Sequence, residues 1–120
     1  MKSVEEIQAI LSYATGTEHY HRFSPISCFP VITDGVLMVA EAAECFWFLD
    51  IIGSYQINPE LDKSFQVWQL QVDTEKKSGV VQGYNDTTLI IQQEIDYTDF
   101  PLETLKVYLI DGVILLPSEY

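Results

Sequence analysis

The sequence predicts an α+β fold, with N-terminal helices packed on one face of a mainly antiparallel sheet of four to six strands. Three observations carry that expectation. Residues 33 to 56 read as helix and are apolar nearly all round, so other elements must wrap them. From Phe65 onward the hydrophobic period changes from helical to two, the signature of strands. Asp111-Gly112 sits between two apolar runs, the strongest short-range signal of a hairpin. With 120 residues, no internal repeat and no linker, one domain over residues 1–120 is the economical organisation. A chain of this size buries roughly two thirds of the surface it exposes when unfolded.

Ser3 with Glu6 forms a capping-box pattern, and Val4, Ile7, Ile10 and Leu11 recur at helical spacing, which predicts a first helix from about Ser3 to Tyr13. Thr15-Gly16-Thr17 closes it, since glycine readily takes the left-handed conformation. Glu18 to Phe23 alternates as a short strand would, with His19 and His21 on one face and Tyr20 and Arg22 on the other. Two prolines between Ser24 and Pro30 mark a loop.

Thr33 or Asp34 can cap the central helix through a side-chain oxygen. An unbroken helix from there to Gly53 would set Asp50 opposite Glu41, because nine residues at ~100° each turn half a circle. Either the segment is two helices jointed near Ala43-Glu44, or Asp50 points inward and needs a hydrogen-bonding partner.

In the second half, Trp68, Leu70 and Val72 share one strand face and Gln69, Gln71 and Asp73 the other. Phe65 and Val67 have the opposite parity, which calls for a bulge near Val67-Trp68 or a strand end covered on both sides. Strands over residues 80–84 and 88–95 flank Asn85-Asp86, and strands over 105–110 and 113–116 flank Asp111-Gly112. The expected core combines the Val4/Ile7/Leu11 face with Val39, Ala43, Trp47, Ile51, Trp68, Leu70, Leu89, Ile91 and Val107.

Six Lys and Arg against 18 Asp and Glu give a formal charge of -12. Such a chain repels phosphate backbones, so no nucleic-acid partner and no anionic membrane is expected. The opening Met-Lys-Ser-Val-Glu-Glu lacks the apolar core of a secretory signal, and no uncharged apolar run approaches the ~18 residues of a membrane span, so a cytoplasmic location is expected. Cys28 and Cys45 lack the spacing of metal or disulfide frameworks and read as small buried hydrophobes.

Five strings of residues, Thr15-Gly16-Thr17-Glu18-His19, Thr33-Asp34-Gly35-Val36, Trp47 to Ile52 with Ser54-Tyr55-Gln56, Tyr97-Thr98-Asp99-Phe100-Pro101 and Leu116 to Tyr120, together resemble a family of small bacterial proteins defined only as a domain of unknown function. The resemblance implies a bacterial source and a single compact domain. It brings no activity, cofactor or catalytic residue, and it puts Asp34, Trp47, Asp50 and Asp99 in segments characteristic of the family.

Candidate chemistry is sparse. His19 and His21, two apart on a strand, are weak metal-ligand candidates and want a carboxylate such as Glu18 or Asp34 to complete a site. Asp34 and Asp50 could divide acid and base roles if burial raised one pKa, although helix capping accounts for Asp34 and a structural hydrogen bond for Asp50 more simply. Neither cysteine lies in a nucleophile motif, and no Gly-x-Ser-x-Gly elbow, P-loop or dinucleotide loop occurs, so no cofactor is expected. The leading expectation is a non-enzymatic accessory domain that binds a protein partner or a copy of itself through its sheet edge or an aromatic patch, since seven tyrosines suit an interface. A small enzyme or ligand-binding protein with a pocket near Asp50, Trp47 and the histidines is the second reading, and a DNA-mimic inhibitor of a basic nucleic-acid-binding protein the third.

Overall fold

The computed structural model describes residues 1–14, 19–26 and 29–120. Helix α1 runs Val4–Tyr13, and the Ser3 hydroxyl accepts from the Glu6 N–H as the capping pattern requires. The glycine closure at Thr15-Gly16-Thr17 lies outside the described residues, as do Glu18 and Cys28. Strand β1 is Tyr20–Arg22, shorter than the run read from the sequence, and β2 is Val31–Thr33.

Helix α2 spans Asp34–Ala43 and helix α3 Phe46–Ser54, so the central stretch is two jointed helices. The joint is Glu44, whose left-handed backbone (φ 53°, ψ 47°) turns the chain while its N–H still bonds the Ala40 carbonyl. A 3-10 turn at Tyr55–Ile57 extends α3. Thr33, rather than Asp34, caps α2: its Oγ1 accepts from the Val36 N–H at 3.3 Å. The joint also rotates α3 independently of α2, so Asp50 is exposed and the burial that a continuous helix would force on it does not arise.

Strands β3 (Gln66–Asp73), β4 (Ser78–Asn85), β5 (Thr88–Ile95), β6 (Thr104–Ile110) and β7 (Val113–Leu115) complete a seven-stranded sheet in the order β1-β2-β7-β6-β3-β4-β5. That is one strand more than the upper bound expected, because β2 was hidden in the three apolar residues leading to the α2 cap. All neighbours are antiparallel except β2 and β7, which pair in parallel, Val31 with Val113 and Ile32 with Ile114. The Asp111-Gly112 hairpin forms with both residues at positive φ (48° and 84°). No bulge interrupts β3. The register shift falls instead between Gly83 and Tyr84, where β4 meets β5. Phe65 and Val67 keep their opposite parity because that end is covered on the other side too: the Phe65 ring packs on Tyr108 and Tyr120 at 5.5 and 6.2 Å.

The helices lie on the Trp68 face. Trp68, Leu70, Val107, Leu109, Ile114 and Ile32 are buried there with Ile7, Val36, Phe48 and Ile52. Tyr55 stacks on Trp68 at 6.0 Å and donates its hydroxyl to Gln93. One buried polar knot crosses this interface. Gln56 and Gln66 exchange two amide hydrogen bonds of 3.0 Å, and Gln66 Oε1 also accepts from Trp68 Nε1–H at 2.8 Å. Five core expectations need correction. Val4 and Leu89 are exposed, at 36% and 45%, and Leu11, Trp47 and Ile51 are half-buried. Leu89 pairs with Tyr84 beyond the register shift, which turns it to the helix-free face.

Candidate functional site

The residues singled out for chemistry converge, in part, on the first turn of α2. His21 projects from β1 on the helix side, opposite Ile32, and its Nε2 lies 2.6 Å from Asp34 Oδ1. The His19 backbone N–H reaches Asp34 Oδ2 at 3.4 Å. Both side chains of the His21–Asp34 pair are about one-third exposed, at 33% and 37%. On the other side of the turn, the Glu119 carboxylate accepts from the Thr33 hydroxyl at 2.7 Å, from the Gly35 N–H at 3.4 Å and from the Leu116 N–H at 3.0 Å. Negative charge at a helix N-terminus is favoured by the free N–H groups and the helix dipole. A Cβ at Gly35 would stand 2.7 Å from Glu119 Oε1, so a larger residue there displaces this carboxylate from the turn. The C-terminal role of Glu119 was not legible beforehand, since 84 positions separate it from Gly35.

What this cluster can do chemically follows from its partners. Asp34 fixes the His21 ring and ties the edge strand β1 to α2. Among the described residues no hydroxyl or thiol is hydrogen-bonded to His21, and no group of three or more His, Cys, Asp and Glu is placed to hold a metal ion. Cys45 is buried, and that burial pushes its thiol up to about 12, far from the thiolate a nucleophile needs. Asp50 lies exposed on α3. Trp47 stands half-buried beside Phe48, with ring centroids 6.2 Å apart.

Four surface cavities among the described residues were not foreseen. The largest of these four, about 790 Å³, lies where the β3–β4 hairpin meets the end of β5 and is rimmed by Asp73, Glu75, Glu94, Asp96 and Glu103. A second, about 430 Å³, holds Arg22 and Lys63. The third, about 400 Å³, lies on the helix-free face between Phe65, Tyr84 and Tyr108, with Lys106 5.6 Å from the Tyr108 ring centroid. The fourth, about 220 Å³, lies between Tyr20, Ile110 and Glu119. Neither Asp50 nor Trp47 lines any of the four. The aromatic patch of Phe65, Tyr108 and Tyr120 did carry a sequence signal: the parity of Phe65 against Trp68.

Residues 5–120 match the profile of a family described as a family of unknown function, DUF6876. No curated protein and no solved structure matches the chain.

Proposed function

The chain belongs to the DUF6876 family, and from that premise we propose that it is a non-enzymatic bacterial, cytoplasmic accessory domain, acting as one unit over residues 1–120, that associates with a second copy of itself by strand addition at β5. The observation that carries this reading is the edge itself. β5 is eight residues long, pairs with β4 on one side and, among the described residues, has no strand on the other. Long edge strands ordinarily carry lysine, proline or a bulge against pairing; Thr88–Ile95 has neither lysine nor proline, and its one irregularity, Ile90 skipped between the Gly83–Ile91 and Tyr84–Leu89 pairs, leaves residues 91–95 regularly paired. Its one charge is Glu94. In a two-fold antiparallel pairing centred on Gln92, which faces its own mate, each Glu94 falls opposite Ile90 of the second copy, so the like charges stay apart. The exposed Leu89 side chain would be covered in the same step.

Sedimentation velocity of the chain against the double variant Leu89→Lys/Gln92→Lys tests it. The variant lowers the net negative charge, so association driven by charge alone would strengthen, whereas edge pairing weakens. A chain that stays monomeric at every concentration sinks the proposal.

A second reading, capture of a basic protein by phosphate mimicry, is favoured by the five acids around the largest cavity. Asp73→Asn/Glu75→Gln should then abolish binding to a basic nucleic-acid-binding protein while leaving self-association intact.

A further inference from the structure

Arg22 and Lys63 are two of six cations in a chain with 18 acids, yet both line the same 430 Å³ cavity. It opens at the end of the sheet where β1 finishes, β2 begins and the β6–β7 turn passes at Gly112. Phe29, Pro30 and Leu109 supply an apolar wall and Gln56 a polar one. Among the described residues no aspartate or glutamate lines it. Among the described residues neither cation is in an ion pair, the two pairs present being the Met1 amino group with Glu44 and His21 with Asp34. The Lys63 ammonium donates to the Gln56 carbonyl oxygen, a neutral acceptor that orients the ammonium and leaves its charge uncompensated. Acids outnumber bases threefold in this chain, and of the four cavities described above this is the one lined by two cations and, among the described residues, no carboxylate.

We propose that this cavity binds a small organic oxyanion, a carboxylate or phosphate ester carrying a short apolar group. The planar guanidinium of Arg22 suits two parallel hydrogen bonds to such an oxyanion, and Lys63 adds a point charge beside it. The apolar group lies against Phe29, Pro30 and Leu109. The volume falls within the range of small-molecule sites, and a few convergent polar groups on an apolar wall are their usual make-up.

Amide NMR titration of the whole chain with benzoate, inorganic phosphate and the neutral benzyl alcohol tests the assignment. Benzoate is expected to give saturable shifts at Gly112 and at the Gln56 side-chain amide. Arg22→Gln and Lys63→Gln should each weaken it about tenfold, the loss of one charge-assisted hydrogen bond. Lys76→Gln, in the distant β3–β4 turn, should leave it unchanged. Thermal melting checks that the variants fold, and if Lys63→Gln does not, Arg22→Gln on the exposed edge strand decides alone. Phosphate binding that is lost in Arg22→Gln sustains the oxyanion assignment and dispenses with the apolar group. No saturable shift with either anion, equal binding of the alcohol, or an equal loss in Lys76→Gln overturns it.

Discussion

Gln66 shows how much one side chain can hold. Its oxygen accepts from both Gln56 and Trp68, and each of those donors is buried, so Gln66→Ala leaves two N–H groups without a partner. An uncompensated buried donor costs about 1–3 kcal/mol, so a loss of more than 2 kcal/mol in urea unfolding is expected. Asp50 behaves oppositely: exposed on α3, Asp50→Asn should change stability by less than about 0.5 kcal/mol. Cys45 gives a pH signature. Its thiol ordinarily ionises near 9.0 and is held up to about 12 in the folded chain by burial. The stability tied to the neutral thiol is therefore complete below pH 9 and is lost as pH rises from there toward 12, since the unfolded chain sheds its proton first. In a Cys28→Ser background, Cys45 should react with a disulfide reagent only at the rate of unfolding, and stability should fall more steeply above pH 9 than in the same background with Cys45→Ala. Residue identity made Cys45 and the Thr33 region legible in the sequence. It could not reveal Glu119 reaching Gly35, because a long-range hydrogen bond leaves no local pattern.

Among the elements, the half-buried strands were the most legible, because alternation records burial directly: Trp68, Leu70 and Val72 do share the core face. The first strands were the least. β2 is three residues, too short for a period, and its apolar side chains fit a loop as well as a strand. The α2–α3 joint falls at a glutamate, a residue that rarely signals a left-handed turn, and only the conflict between Glu41 and Asp50 pointed to it. Gly83 has a reason on the opposite strand: a Cβ there would meet the Trp68 ring at 2.7 Å. That ring is fully buried and cannot yield, so Gly83→Ala should destabilise by about 1–3 kcal/mol, the cost of overpacking. Trp68→Ala should cost on the order of 3–5 kcal/mol, and Trp47→Ala less, in keeping with its half-exposed position. Thermal or urea unfolding of the three variants ranks them.

Across the whole molecule, charge and topology set the behaviour. Two copies of a -12 chain repel, so edge pairing should tighten as salt rises, the reverse of an association held by ion pairs. Sedimentation at low and high salt reads the sign. The same charge predicts no retardation of duplex DNA in a gel-shift assay at physiological salt. The fold was legible at this scale as a class, helices first and sheet after, but its closure was not. β2 joins the sheet only through its parallel pairing with β7, and the α2 cap is completed only by Glu119. Most of the sequence lies between these partners, so closing that loop carries a large entropy cost that must be met before the contact returns anything. During synthesis the apolar α2–α3 unit therefore emerges long before the strand that anchors its leading edge. β3 and β6 can cover part of that unit before β7 arrives, and the capture of β2 by a strand made some eighty residues after it is expected as a late step of folding.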